Sequence, residues 1–243
     1  EKNAYNISVG GCVGYQTQTG ASYYTNNAPM DIDCTLTTSE EYTAIDKVRF
    51  NAGGALGFTT TSSKEFSYLT NTGNVTAKIV SVGDIRIGGA CGQNSGGTMS
   101  HITNTGKVTL KEGSTAGNIL DVAGITPCST GAISDSSNSG DIVIEKGASS
   151  GAGYSCIAGC VSWTQGVLTN LSNSGNISVT ELKSGKTYQV AGGVAWTEAA
   201  VTNIENSGSI TITGGQSGTL SGIVSDDKIA NIAGCVAWLQ AKK

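Results

Sequence analysis

The sequence predicts an all-β chain wound as a right-handed parallel β-helix, a solenoid of about seven coils with 33–43 residues per repeat. Three observations predict it. A Gly-centred motif recurs seven times along the chain. A second motif, centred on Asn and Gly, recurs in phase with the first. The composition is that of strands and turns: 35 Gly and 2 Pro among 243 residues, only 13% charged, with 3 Phe, 3 Trp and 2 Met. Such a chain builds a narrow core from Val, Ile, Ala, Gly and Cys and has little appetite for helix.

The first motif reads "VGGCVGY", "AGGALGF", "IGGACGQ", "VAGITPC", "IAGCVSW", "VAGGVAW" and "IAGCVAW". Its second small residue falls at Gly11, Gly54, Gly89, Gly124, Gly159, Gly192 and Gly234, with steps of 43, 35, 35, 35, 33 and 42 residues. The alternation reads as a strand with Ile157, Gly159, Val161 and Trp163 on one face and Ala158, Cys160 and Ser162 on the other. In the fourth copy Pro127 is expected to bend or end the strand.

A polar bend such as "TEAA" follows, then a short strand such as "VTNI", then a turn. The turns are "LTNTGNV", "ITNTGKV", "SSNSGDI", "LSNSGNI" and "IENSGSI". Their glycines are Gly73, Gly106, Gly140, Gly175 and Gly208, each expected at positive φ, where a Cβ would clash. In register, Asn71, Asn104, Asn138, Asn173 and Asn206 stand above one another. Their amides can then bond up the column as an asparagine ladder. A clean alternating strand such as "SITIT" closes the unit, and a Gly/Ser-rich loop leads to the next. No unit can bury its apolar side alone, so stacking supplies the core.

The whole chain, 1–243, reads as one solenoid domain. Segment 16–50 is an atypical N-terminal coil or cap, and 51–243 are regular repeats. An open solenoid end needs cover. At the C-terminal end the 214–231 loop, or a further domain or partner, is expected to provide it.

The units "GGCVGY", "GGALGF" and "GGACGQ", each followed at a distance by Asn-Thr/Ser-Gly, resemble the GLUG-type repeat of large bacterial surface proteins. The resemblance spans about residues 7–240. It implies a β-solenoid displayed outside the cell, extracellular or on the cell surface, within a larger surface protein. It carries no catalytic residues.

Function classes narrow further. A net charge of −4 without a basic run argues against nucleic acid. No apolar stretch is long enough to span a membrane. Seven Cys, one His (His101) and no C-x-x-C give no zinc pattern, so no metal or cofactor is expected. The cysteines read as buried thiols filling small gaps. Cys160 and Cys235 are not in adjacent coils, Cys91 and Cys128 are two positions out of register, and Cys156 and Cys160 would sit about 13 Å apart on a continuous strand.

Two function hypotheses remain. The first is a non-catalytic scaffold, spacer or adhesin whose partner is a glycan or a host or cell-surface protein. The second is a carbohydrate-binding or polysaccharide-processing β-helix. For the second, Trp163, Trp196 and Trp238, sharing their slot with Tyr15 and Phe58, could form a sugar-stacking row, although an aromatic packing stack explains the same pattern. Paired carboxylates are the other requirement. Asp31 with Asp33, and Asp226 with Asp227, are the close pairs among otherwise scattered acids, and neither pair recurs in the next coil with a Lys or Arg beside it. The chain is therefore expected not to be an enzyme.

Overall fold

The computed structural model describes residues 5–36, 47–80, 82–151, 153–183, 187–214 and 229–240. It is a parallel β-solenoid with no helix among these residues except a single-residue 3₁₀ turn. All inter-strand pairings are parallel and join each coil to the next. Four sheets run along the stack. Sheet I begins with Tyr5–Gly10 and Val48–Gly53 and ends with Ile229–Ala233. Sheet II runs from Val13–Gln16 to Val236–Leu239. Sheet III runs from Ala21–Ser22 and Thr25–Asn26 to Val201–Asn206, and sheet IV from Met30–Thr35 to Ile210–Thr213.

The coil count is a little lower than the seven expected. Among the described residues, sheets I and II reach a seventh strand while sheet IV contains six, so the last coil contributes there to sheets I and II. Within the segment set apart as an atypical coil or cap, residues 16–36 pair regularly: Asn26 lies opposite Asn71 and Asp33 opposite Lys78. Residues 37–46 lie outside the described residues, as do Asp226, Asp227 and most of the 214–231 loop.

The Gly-centred motif is not one strand. Ser155–Ala158 belongs to sheet I and Val161–Thr164 to sheet II, with Gly159 and Cys160 forming the corner between them. Ile157 and Val161 therefore enter different cores. One core draws on sheets I and IV, including Phe50, Ile85, Leu110 and Ile144. The second draws on sheets II and III, including Leu56, Phe66, Met99 and Leu168. A small third cluster, Cys156, Ala158, Ala191 and Ala195 with Trp196 against it, lies where sheets I and II face each other. The corner explains its small residues: a Cβ on Gly54 would lie 2.2 Å from the Asn71 side chain and 2.2 Å from the Gly89 carbonyl oxygen. Pro127 does not end its strand. Thr126–Ser129 pairs forward with Val161–Thr164, but backward pairing shrinks to Asn94 opposite Ser129, as a residue without an N–H requires.

Candidate functional sites along the solenoid

The asparagines meet as expected, and the ladder is longer by one. Nδ2 of each Asn donates to Oδ1 of the next, from Asn26 to Asn71 (2.9 Å), Asn104 (2.8 Å), Asn138 (2.7 Å), Asn173 (2.7 Å) and Asn206 (2.8 Å). The same nitrogen donates within its own turn, to the carbonyl of Gly73, Gly106, Gly140, Gly175 or Gly208 at 2.7–2.9 Å. Asn26 escapes the sequence pattern because Ala28 stands where later turns have Gly. The glycines correct one expectation. None of the five is at positive φ, which among the described glycines is confined to Gly96, Gly113, Gly147 and Gly214. Their constraint is close approach: a Cβ on Gly106 would lie 2.0 Å from the Gly73 carbonyl oxygen, and Gly140, Gly175 and Gly208 repeat this at 2.0–2.1 Å.

The tryptophans share one row, Cys128–Trp163–Trp196–Trp238, as the register requires. Trp196 and Trp238 stack at 4.9 Å and 7°, and Tyr154 packs edge-on against Trp196 at 5.2 Å. All three indoles are half-buried. Trp196 and Trp238 turn one face toward each other, which closes those faces to a ligand. A pyranose needs an open face.

A second aromatic column, not anticipated from the sequence, lies on sheet III. Tyr23, Tyr68, His101, Asp135, Asn170 and Asn203 each follow a register-matched Ser or Thr and each sits in the left-handed region, φ 50–63°. Tyr23 and Tyr68 stack at 4.8 Å and 0°, and Tyr68 and His101 at 4.8 Å and 19°. Asn203 then donates to Asn170 (3.0 Å), and Asn170 to Asp135 (2.8 Å), which holds the Asp135 carboxyl below its ordinary range. The signal is in the sequence: "SYY", "SYL", "SHI", "SDS", "TNL" and "TNI" recur just before the turn motif. Asn and Asp tolerate this backbone; Tyr ordinarily does not. Tyr23 heads the column, 75% exposed.

The acidic residues are less scattered than expected. Asp31 and Asp33, exposed on sheet IV, share a shallow, solvent-open depression with Lys78, Lys111, Glu112 and Glu145. In the next coil Thr76 lies opposite Asp31 and Lys78 opposite Asp33, so the acidic pair does not recur there, but a lysine faces it. The 45-residue step of this coil hid it. Lys111 Nζ meets Glu145 at 3.1 Å, and the Glu112 N–H and Lys111 lower the Glu145 carboxyl. A general acid needs the opposite shift.

A buried polar network also escaped the sequence. On sheet I, Asp84 contacts Arg49 (3.3 Å) and Arg86 (3.6 Å), and Arg86 donates to Gln93 (2.6 Å). Arg86 Nε lies 3.9 Å from Asp121 Oδ2, longer than a hydrogen bond. Asp121 is fully buried, with Arg86 and the Cys156 backbone as the polar groups that favour its charged form. Burial therefore raises it well above its ordinary value, Arg86 opposing and Asp84 adding.

The seven cysteines are free, and Cys91, Cys128, Cys156 and Cys160 are buried. Burial raises the Cys91 and Cys160 thiols to about 12 and Cys128 to about 11. Cys156 approaches Gln189 (3.6 Å) and Cys160 the Ser172 carbonyl (3.4 Å), so the two serve different neighbours. No group of three or more His, Cys, Asp or Glu able to hold a metal occurs among the described residues. Among the described residues no helix is long and apolar enough to cross a membrane. Compared with protein families, curated proteins and solved structures, the chain matches none.

Proposed function

We propose that the chain is a non-catalytic solenoid module displayed outside the cell as a scaffold, spacer or adhesin within a larger surface protein. One observation carries the reading. The residues that recur most strictly are taken up by stacking: the side chains of Asn26 to Asn206 bond from coil to coil, and the turn glycines allow the close approach of one coil to the next. What repeats is what holds length. The resemblance to GLUG-type repeats favours the same location.

The Tyr23–Tyr68–His101 column favours a second reading, carbohydrate binding, because its three rings are exposed and Tyr23 at its head is 75% exposed. A glycan array with the unmodified chain, Tyr23→Asn and Trp196→Ala separates the two. No saturable glycan binding supports the spacer. A glycan bound by the unmodified chain and lost by a variant that stays folded supports the second reading. Tyr23 is the more informative position, because its ring, unlike that of Trp196, is largely exposed.

A further inference from the structure

The two ends of the stack differ chemically. At the C-terminal end, among the described residues, Val201–Asn206 pairs only with Leu168–Asn173, and Ile210–Thr213 only with Ile177–Thr180. Leu171, Ile177 and Val179 are at most 1% exposed. One coil on, Ile204, Ile210 and Ile212 are half-buried. The core columns of sheets III and IV thus end uncovered among the described residues. Sheets I and II do not end there, since Ile229–Ala233 and Val236–Leu239 add one more strand to each. Among the described residues the open edge is one strand deep and lies on sheets III and IV.

That edge specifies what fits it. Each earlier ladder Asn donates twice through Nδ2; Asn206 donates once, to Gly208 at 2.9 Å, and points its second N–H outward. The next residue in the column must accept, as an Asn Oδ1 does. Two residues later it must be Gly, because a Cβ in the following coil would meet the Gly208 carbonyl at about 2 Å, as Gly208 itself would meet Gly175. Flanking residues must alternate apolar and polar to cover Ile204, Ile210 and Ile212.

A second copy of this chain does not meet these terms. Its first coil brings strands for all four sheets and would collide with the seventh strands of sheets I and II. Its turn-glycine slot holds Ala28, whose methyl would lie where the Gly208 carbonyl of the preceding coil would sit, as a Cβ on Gly73 would meet the Ala28 carbonyl. The next residue, Pro29, lacks the N–H that Lys107, Asn176 and Ser209 donate back to the preceding coil. The N-terminal face is closed to in-register addition.

We propose that the C-terminal edge of sheets III and IV is a strand-acceptor surface for an extended segment of another polypeptide carrying an Asn-Ser/Thr-Gly turn between apolar-alternating flanks. The inference holds whether the module is a spacer or an adhesin. Its test uses the full chain and a fluorescent peptide with the sequence of residues 168–180, read by anisotropy and by hydrogen exchange. Saturable binding is expected, with new protection confined to amides of 201–213. Peptides carrying Gly175→Ala or Asn173→Ala should bind roughly tenfold or more weakly. Absence of saturable binding, equal binding of the Ala peptides, or protection gained at the first coil overturns the proposal. So does finding 201–213 already as protected as 168–180 in the free chain, since the edge would then be covered.

Discussion

At the scale of single residues, the axis makes the sharpest demands. Asn104→Ala strands the Asn71 donor and the Asn138 acceptor in a dry interior, which should cost about 2–4 kcal/mol in denaturant unfolding. Gly106→Ala should lose about 2 kcal/mol or more, because rigid backbone sits where the methyl must go. Gly113→Ala is the control. It has φ +76° and nothing within 4 Å, so backbone strain of about 1 kcal/mol is all it pays. If Gly113→Ala proves the more damaging, close approach is not what selects glycine here. The cysteines follow the same logic of burial. Alkylation of the native chain near pH 8 should modify Cys12 and Cys235, which are exposed, while Cys91, Cys128, Cys156 and Cys160 react only after unfolding. Mass spectrometry of the labelled chain decides this, and early labelling of any of the four would show that the interior opens.

At the scale of elements, the face where sheets I and II meet carries an unusual electrostatic load. Asp121 is raised, so folding holds its proton; stability from this group is present below the unfolded carboxyl value near 4 and is lost as pH rises toward the folded value. Asp121→Asn removes that dependence. The variant should gain on the unmodified chain as pH goes from 4 to 8, measured by denaturation midpoint at each pH; parallel curves would show that Asp121 ionises freely in the fold. This network also marks how far the sequence could be read. Period, ladder and strand type were legible, because each coil repeats the same solution and the repeats check one another. The corner at Gly159 was not, because a bend between two small residues leaves the apolar alternation intact on paper. Asp84, Arg86 and Asp121 were not, because they occur once and meet only through the fold. The Tyr23 column lay between these cases: its Ser/Thr partner repeats, but the residue that matters varies from Tyr to His to Asn.

At the scale of the molecule, strands pair only between adjacent coils among the described residues, so stability should be distributed as in a one-dimensional stack rather than shared equally. Burial already shows the gradient. Phe66, Ile102, Ile133 and Leu168 are at most 1% exposed, whereas Val13 at one end and Ile204 and Val236 at the other are half-buried. Hydrogen exchange should therefore be slowest across roughly residues 85–180 and faster in the first and last coils. The same picture makes position matter for one kind of lesion. Asn104→Ala cuts the ladder in mid-stack and should lower protection in the coils on both sides, while Asn206→Ala, at the end of the ladder, should free the last coil and leave the centre as it was. A fully cooperative chain would instead lose protection everywhere at once with either variant. That outcome would mean the two cores bind the coils together more tightly than neighbour contacts account for, and the spacer reading would then rest on rigidity rather than on repetition.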